Sequence, residues 1–557
     1  MIKTDLIAQE TAQPANPATN MTRRGLFGLT AATAAMAATP GAARGFGSGF
    51  THNVASGEPQ AASVLLWTRY VGEAETMLEW QVSTSEDFAR PVSQGKATAS
   101  PNRDWCAKAI ANGLEPDRWY FYRFIAPDGT MSPVGRTRTL PQGPTAKFRM
   151  AVFSCSNFGF GWFNAYAHAA EANDVDLAVH LGDYIYEYGA ATYPSPEQKH
   201  PDRNGAPASE IITLADYRLR YATYRADPDL QRLHQVLPMI AVWDDHESAN
   251  DSWKGGAQNH QSETEGTWEA RKATAKRVYR DWMPVSDDPY AAYDIGDLAT
   301  LMRIDTRLEG REEQFSIEKV VSGDADPEAM LASLSAFRTG DYADPSRQLL
   351  GAAQDEWLAG TLAASTARGA TWQVLVQQVL IGKVAAPSAL LGMLPEGMPD
   401  YARRRLEAAA LASKAGLPLN MDAWDGYPAA RARVFEAALE ADANLVVLAG
   451  DTHNAWSFDL AHEGTKVGVE FATSSVSSPG FEGYLSMVPP PVMAAALVGQ
   501  NEELTWADTS QRGYMMLELT PATATSEWRF MSGIKKRSTQ LAGTHRSSVD
   551  AGAKVQG

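Results

Sequence analysis

The chain has 557 residues, enough for two or more domains and a large buried core. Hydrophobic residues make up 44% and aromatics 9%, a globular composition that excludes a disordered or fibrous chain. The net charge of -17 argues against a nucleic-acid or anionic-membrane partner; acting on anions would require local cations, which bound metals can supply.

Residues 1–45 read as a targeting segment. Arg23-Arg24 precede a mildly apolar, Ala-rich run from Gly28 to Ala38, and small residues suited to cleavage follow at Gly41-Ala42-Ala43. The pattern predicts twin-arginine export to the periplasm or outside the cell, with Met21 as an alternative start. The apolar run is too short to span a membrane, and the mature chain is expected to have no transmembrane segment. Residues 46–140 read as short strands between turns, such as Ser63–Arg69, Met77–Ser83 and Arg118–Phe124, which predicts a small β-sandwich of fibronectin or immunoglobulin type. Pro141–Pro144 is the expected linker.

From 147 to 533 the pattern changes to apolar strand-like runs, at Phe148–Ser154, Asp176–Leu181, Met239–Trp243, Leu298–Ile304, Thr371–Val376 and Asn444–Ala449. Helical stretches lie between several of them, including Trp162–Ala172, Gly266–Asp281 and Gly351–Ala364. The alternation predicts an α/β core with its chemistry at strand ends. Residues 188–210 are rich in Pro and Gly and read as an active-site loop, and 534–557 as a loose tail or a lid.

Four strand ends carry metal-type residues. Gly182-Asp183 ends an apolar strand, and Tyr186 follows three residues later. A carboxylate can bridge two cations, whereas a phenol with a pKa near 10 binds well only to a strongly Lewis-acidic one. Gly-Asp-x-x-Tyr therefore points to trivalent iron sharing Asp183 with a second metal; a plain strand and turn is the alternative. Cys155 ends the first core strand and is either a soft anionic ligand or a buried free thiol; one disulfide with Cys106 is also open. Asp244-Asp245-His246-Glu247, with Asn250 after it, reads as a ligand turn or an acidic helix N-cap. Asp451 and His453, two apart on an extended loop, can both face a dinuclear centre.

In order and context these groups match the metallophosphoesterase scheme: a first-strand ligand, Gly-Asp-x-x-(Asp or Tyr), an Asn-His-Glu-like turn and a final Gly-His-x-His. Here Cys155 replaces a carboxylate, Asp245 an asparagine and Asp451 a histidine. The second site thereby becomes rich in hard oxygen donors, which favours calcium over zinc. The chain resembles PhoD-type alkaline phosphatases over essentially its mature length, through His52–Pro59, Leu66–Arg69, Phe153–Ser156, His180–Tyr188, Trp243–Glu247, Asp305–Arg307, Gln354–Leu358, Asp425–Tyr427 and Ala449–His453.

The resemblance implies a β-sandwich joined to a four-layer αββα catalytic domain with an iron-plus-calcium site. Cys155, Asp183, Tyr186 and His453 would hold iron; Asp183, Asp245 and Asp451, with Asn250, would hold calcium. Alignment to the Asn-His-Glu turn selects Asp245 over Asp244. The expected activity is hydrolysis of phosphate monoesters and diesters by a metal-activated hydroxide or oxide, releasing inorganic phosphate. A phospholipase D-like diesterase is the alternative, with Ala385–Met398 and Tyr484–Leu497 as lipid-facing loops; an exported adhesion or metal-binding protein is the non-enzymatic one. His246 is the candidate for assisting the leaving group or, instead, for orienting Asp245. Arg307 and Arg431 are candidate phosphate clamps or structural salt bridges, and His180 is expected to pack beside the metal shell.

Overall fold

The computed structural model describes residues 47–323, 326–388 and 400–556, so the export segment predicted for 1–45 and most of the loop 385–398 lie outside the described residues. Two large sheets face each other. One has nine strands, in the order Leu541–Asp550, Thr523–Met531, Gly513–Leu519, Phe148–Phe153, Leu177–His180, Met239–Ala241, Gly49–Gly57, Ser63–Val71 and Cys106–Asn112. The other has seven, in the order Ala291–Ile295, Ala299–Arg303, Trp372–Val376, Leu445–Ala449, Thr465–Ala472, Ala455–His462 and Leu504–Asp508.

Met150, Val152, Leu177, Val179 and Ile240 of the first sheet interdigitate with Leu301, Val374, Val376, Val446 and Leu448 of the second. Ala151, Phe153 and Ala178 point the other way, into a core shared with Asn164–Ala172, Leu214–Arg225, Pro228–Val236 and Trp268–Trp282. The outer face of the second sheet is covered by Ala352–Ala367, Pro428–Glu440 and Pro490–Gln500. The result is the expected four-layer αββα arrangement. It explains why the inner strands read as unbroken apolar runs: both of their faces are buried.

The N-terminal region forms a sandwich. Thr76–Ser83, Ser93–Ala99, Trp119–Ile125 and Gly135–Arg138 make a four-stranded sheet, and Tyr120, Tyr122 and Phe124 alternate inward against Val54, Val64 and Leu66. Its second layer does not stop at the linker. Gly57 pairs in parallel with Met239, so three N-terminal strands extend the catalytic sheet. Only glycine fits this junction, because a Cβ at Gly57 would lie 2.0 Å from the Pro284 carbonyl oxygen.

Of the two readings of 534–557, a loose tail or a lid, the loose tail does not hold. Leu541–Asp550 is an edge strand paired antiparallel with Thr523–Met531, and Ile534 packs with Phe160, Tyr186 and Tyr193. A small, polar edge strand has one wetted face and lacks the apolar run that marks a buried strand.

Register positions the functional loops. Phe153 pairs with His180 and His180 with Ala241, so the loops carrying Cys155, Asp183 and Asp245 leave the first sheet side by side. In the second sheet Arg303 pairs with Val376 and Val376 with Leu448, which brings the loops of Arg307 and Asp451 to the facing edge. Among the described residues no helix is long and apolar enough to cross a membrane.

Candidate metal centre

The loops converge on one buried cluster. Ligand atoms of Cys155, Asp183 and His453 lie within 4.8 Å of one another, as do those of Asp183, Asp245 and His246, and of Asp244, Asp245 and Asp451. Asp183 and Asp245 are thus shared between neighbouring groups, as a bridged pair of cations requires. Tyr186 Oη donates to Asp183 Oδ2 at 2.9 Å and lies 3.1 Å from His453 Nε2, so the phenol joins the Cys155 side. Asn250 and Asp245 line the pocket that opens beside the cluster. Six of the seven predicted metal residues therefore meet at this centre, and Asn250 lines the pocket beside it. No disulfide joins Cys106 and Cys155, and both are buried.

The backbone at this centre is held in a sparsely populated conformation. Cys155, Asp183, Asp451 and His453 have φ of 59°, 54°, 59° and 63°. Left-handed backbone at non-glycine residues costs on the order of 1–3 kcal/mol each, and persists where the surroundings over-determine it. Glu247 supplies much of that support. Its buried carboxylate accepts from the amides of Asp183 at 3.1 Å, Tyr184 at 2.5 Å and Asp244 at 2.7 Å, tying two ligand loops together. Gly182 lets those loops touch, since a Cβ there would fall 2.4 Å from Asp244 Cβ.

Hydrogen bonds also aim the donors. His453 Nδ1 donates to the Pro479 carbonyl at 2.7 Å, which leaves the Nε2 lone pair for the centre. Ser478 Oγ lies 2.9 Å from Tyr186 Oη. His246 Nδ1 bonds Glu187 at 2.7 Å, and its ring stacks on Tyr186 with centroids 4.2 Å apart. Glu187 also accepts from the Asn250 amide and the Asn259 side chain. Beneath the loop, His180 Nδ1 accepts from the Gly182 amide and Nε2 faces Tyr166, the packing role expected of it.

The donor set fits cations. Burial, reinforced by Asp245, Asp183 and Asp451 and only partly offset by Arg307, holds the Asp244 carboxyl well above the usual carboxylate range. Burial and the neighbouring Asp183 and Cys155 likewise push the Tyr186 phenol well up. The Asp244 Oδ2 atom is buried without a hydrogen-bond partner. Packed anionic donors and an orphaned carboxylate oxygen are stable together when positive charge sits among them. Asp244 thus joins Asp245 at the oxygen-rich side instead of being its alternative.

Both candidate arginines form salt bridges, the alternative to a phosphate clamp. Arg307 reaches the centre, but its Nε donates to Asp244 at 2.5 Å, its Nη1 to Asp422 at 2.7 Å and its Nη2 to Asp451 at 3.3 Å. With its three nitrogens so engaged, it is counter-charge to these carboxylates. Arg431 lies away from the pocket: Nε donates to the Ile381 carbonyl and Nη2 to Glu503 at 2.6 Å. Glu187 and Asp422 escaped the sequence reading, and Glu247, read as part of the ligand turn, braces the loops instead; a buried carboxylate inside the aromatic run Tyr184–Tyr188 is the signal that could have exposed Glu187.

The sequence profile of the PhoD-like phosphatase family matches residues 150–528, and that of its N-terminal domain matches 34–141. Alkaline phosphatase D of Bacillus subtilis (strain 168) is 34% identical over 458 residues, covering 77% of this chain and 70% of that protein. A solved structure described as that of PhoD superposes with a TM-score of 0.72 at 28% identity, covering 91% of each chain. With a family profile over more than half of the chain and a fold that agrees over nearly all of it, the chain belongs to the PhoD-like phosphatase family of metal-dependent phosphoric ester hydrolases.

Proposed function

We propose that the chain is an exported phosphatase that hydrolyses phosphate monoesters and diesters at a centre of unlike metals. The observation that carries this reading is the run of three overlapping donor groups, one end with a thiol and an imidazole beside a phenol, the other end all carboxylate, linked through Asp183 and Asp245. Cys155, Asp183, Tyr186 and His453 would hold ferric iron, and Asp183, Asp244, Asp245 and Asp451, with Asn250, calcium. When bound, the cations would neutralise phosphoryl oxygens and activate water for in-line attack.

The protein's own contribution is orientation and proton transfer. Glu187 fixes the His246 ring through Nδ1, which turns Nε2 toward the Asp183–Asp245 side, where it can protonate the departing alcohol oxygen. Arg307 balances Asp244, Asp422 and Asp451, so the carboxylate cluster survives burial before loading.

Metal analysis of purified protein should find iron and calcium, with a visible phenolate or thiolate charge-transfer band, and a chelator should abolish hydrolysis. Colourless protein with zinc at both positions would overturn the ligand assignment. Asp183→Ala should remove the second metal as well as the first. Export rests on Arg23-Arg24, and Arg23→Lys with Arg24→Lys should retain the protein in the cytoplasm. Rates on an aryl monoester, a bis-ester and phosphatidylcholine separate this reading from the phospholipase D-like one.

A further inference from the structure

The segment Ile381–Ala386 is neither helix nor strand, yet each of its six consecutive amide N–H groups donates to a side chain. Ile381 and Gly382 donate to Glu470, both at 2.8 Å. Lys383 donates to Glu503 at 3.2 Å, Val384 to Asp425 at 2.9 Å, Ala385 to Asn501 at 2.7 Å and Ala386 to Ser413 at 2.6 Å. Carbonyls are met as well: Ile381 by Arg431 Nε, Val384 by the Leu419 amide and Ala385 by Asn501 Nδ2. Gly382 lies flat on Phe458, whose ring a Cβ would approach to 2.5 Å.

Irregular segments ordinarily run over the surface, where water serves their backbone. This one hangs from acceptors on separate elements with Ile381, Gly382, Val384 and Ala386 buried and Lys383 exposed, and Glu470, Asp425 and Asn501 are themselves buried. Burying carboxyls is costly, so their number here points to a requirement for position. The position is the catalytic pocket. Leu380 and Val384 line it across from Asp245 and His246, beside Leu419, Trp456 and Phe481. On its other side, Lys383, Val384 and Ala385 border a second cavity of about 650 Å³. The segment is therefore a thin partition between two spaces. Among the described residues no lysine or arginine lines the catalytic pocket, so a second anionic group on the alcohol would find no partner there.

We propose that Ile381–Ala386 is the specificity wall of the catalytic pocket. Hung from Glu470, Glu503 and Asn501 as positioning residues, it presents Leu380 and Val384 to the alcohol part of the ester, and the site takes an apolar or aromatic alcohol. This rests on the phosphoesterase reading of the pocket. The test is steady-state kinetics of the metal-loaded full chain, as wild type, Glu470→Gln, Glu470→Ala and Asn501→Ala, on 4-nitrophenyl phosphate and on methyl phosphate. Displacing the wall should raise KM for the aryl ester by roughly five- to tenfold, the range a misfitted apolar pocket produces. KM for methyl phosphate, kcat for both esters and metal content should stay within about twofold, and Glu470→Gln, which keeps one acceptor oxygen, should be milder than Glu470→Ala. Asn501→Ala must show the same split even where a Glu470 variant fails to fold. Equal KM shifts for the two esters, or none in any folded variant, overturn the proposal. Wild-type protein that holds its metals but hydrolyses neither ester overturns the phosphoesterase reading itself, before any variant is made.

Discussion

Replacing Glu247 with glutamine tests whether the ligand loops are held by one carboxylate. Glu247 Oε2 accepts from the Asp183 and Asp244 amides and Oε1 from the Tyr184 amide. Glutamine keeps the shape but turns one of these oxygens into an NH₂ group. In its better orientation the amide oxygen serves Asp183 and Asp244, and the buried Tyr184 amide then faces another donor. Losing a hydrogen bond to a charged group costs about 1.5–3 kcal/mol, and an unsatisfied buried donor about 1–3 kcal/mol. Removing a buried charge beside Asp183 returns part of this, so a net loss of about 2–4 kcal/mol is expected. For a chain of this size that is a Tm lower by only a few degrees. The larger effect should fall on the metals, because the unpaired Tyr184 amide lies directly after Asp183 and strains the loop that holds its left-handed backbone. Affinity measured by chelator competition should fall roughly 10–100-fold, the usual penalty for removing an outer partner of a ligand. Wild-type metal affinity in a folded Glu247→Gln protein would refute the bracing argument.

Glu187→Gln should leave metal content intact and lower kcat by roughly ten- to a hundredfold on alkyl esters, less on 4-nitrophenyl esters, because a good leaving group needs little help from His246; equal losses on both would assign Glu187 a purely structural role. Arg431→Gln should lower Tm yet change kcat less than about threefold, since Arg431 meets Glu503 and not the pocket. Stability should also respond to pH through Glu470 and Asp425, whose carboxyls burial pushes up to about 8 and about 7. A raised carboxyl pKa means the folded state keeps a proton that the unfolded chain releases. The contribution is present below the unfolded pKa and is lost as pH rises toward about 7 and about 8, at about 1.4 kcal/mol per pH unit for each group. Denaturation midpoints from pH 5 to 8 should therefore fall less steeply in Glu470→Gln than in wild type; identical slopes would refute the burial effect.

Much of the molecule was legible in local pattern. The helices predicted at Gly266–Asp281 and Gly351–Ala364 occur as Trp268–Trp282 and Ala352–Ala367, because their periodic apolar faces are a local property. The inner strands were visible as apolar runs, and the four ligand loops as polar residues stranded at their ends. Strands such as Ala455–His462 and Leu541–Asp550 mix polar and apolar residues, and nothing local separates them from loops.

By itself, then, the order of residues determined which donor types are present and that each follows a buried strand, since burial on two faces and the abrupt polar stop are written in consecutive residues. Tertiary structure alone decided what those donors meet. Whether Arg307 faces phosphate or three carboxylates, and whether Asp244 joins Asp245, depends on residues 63 to 144 positions apart meeting across two sheets. The same holds for the N-terminal strands that extend the catalytic sheet and for the wall hung from Glu470. A hydrogen bond specifies its partner by distance and angle in space, and sequence spacing beyond a turn or a strand pair carries no such information.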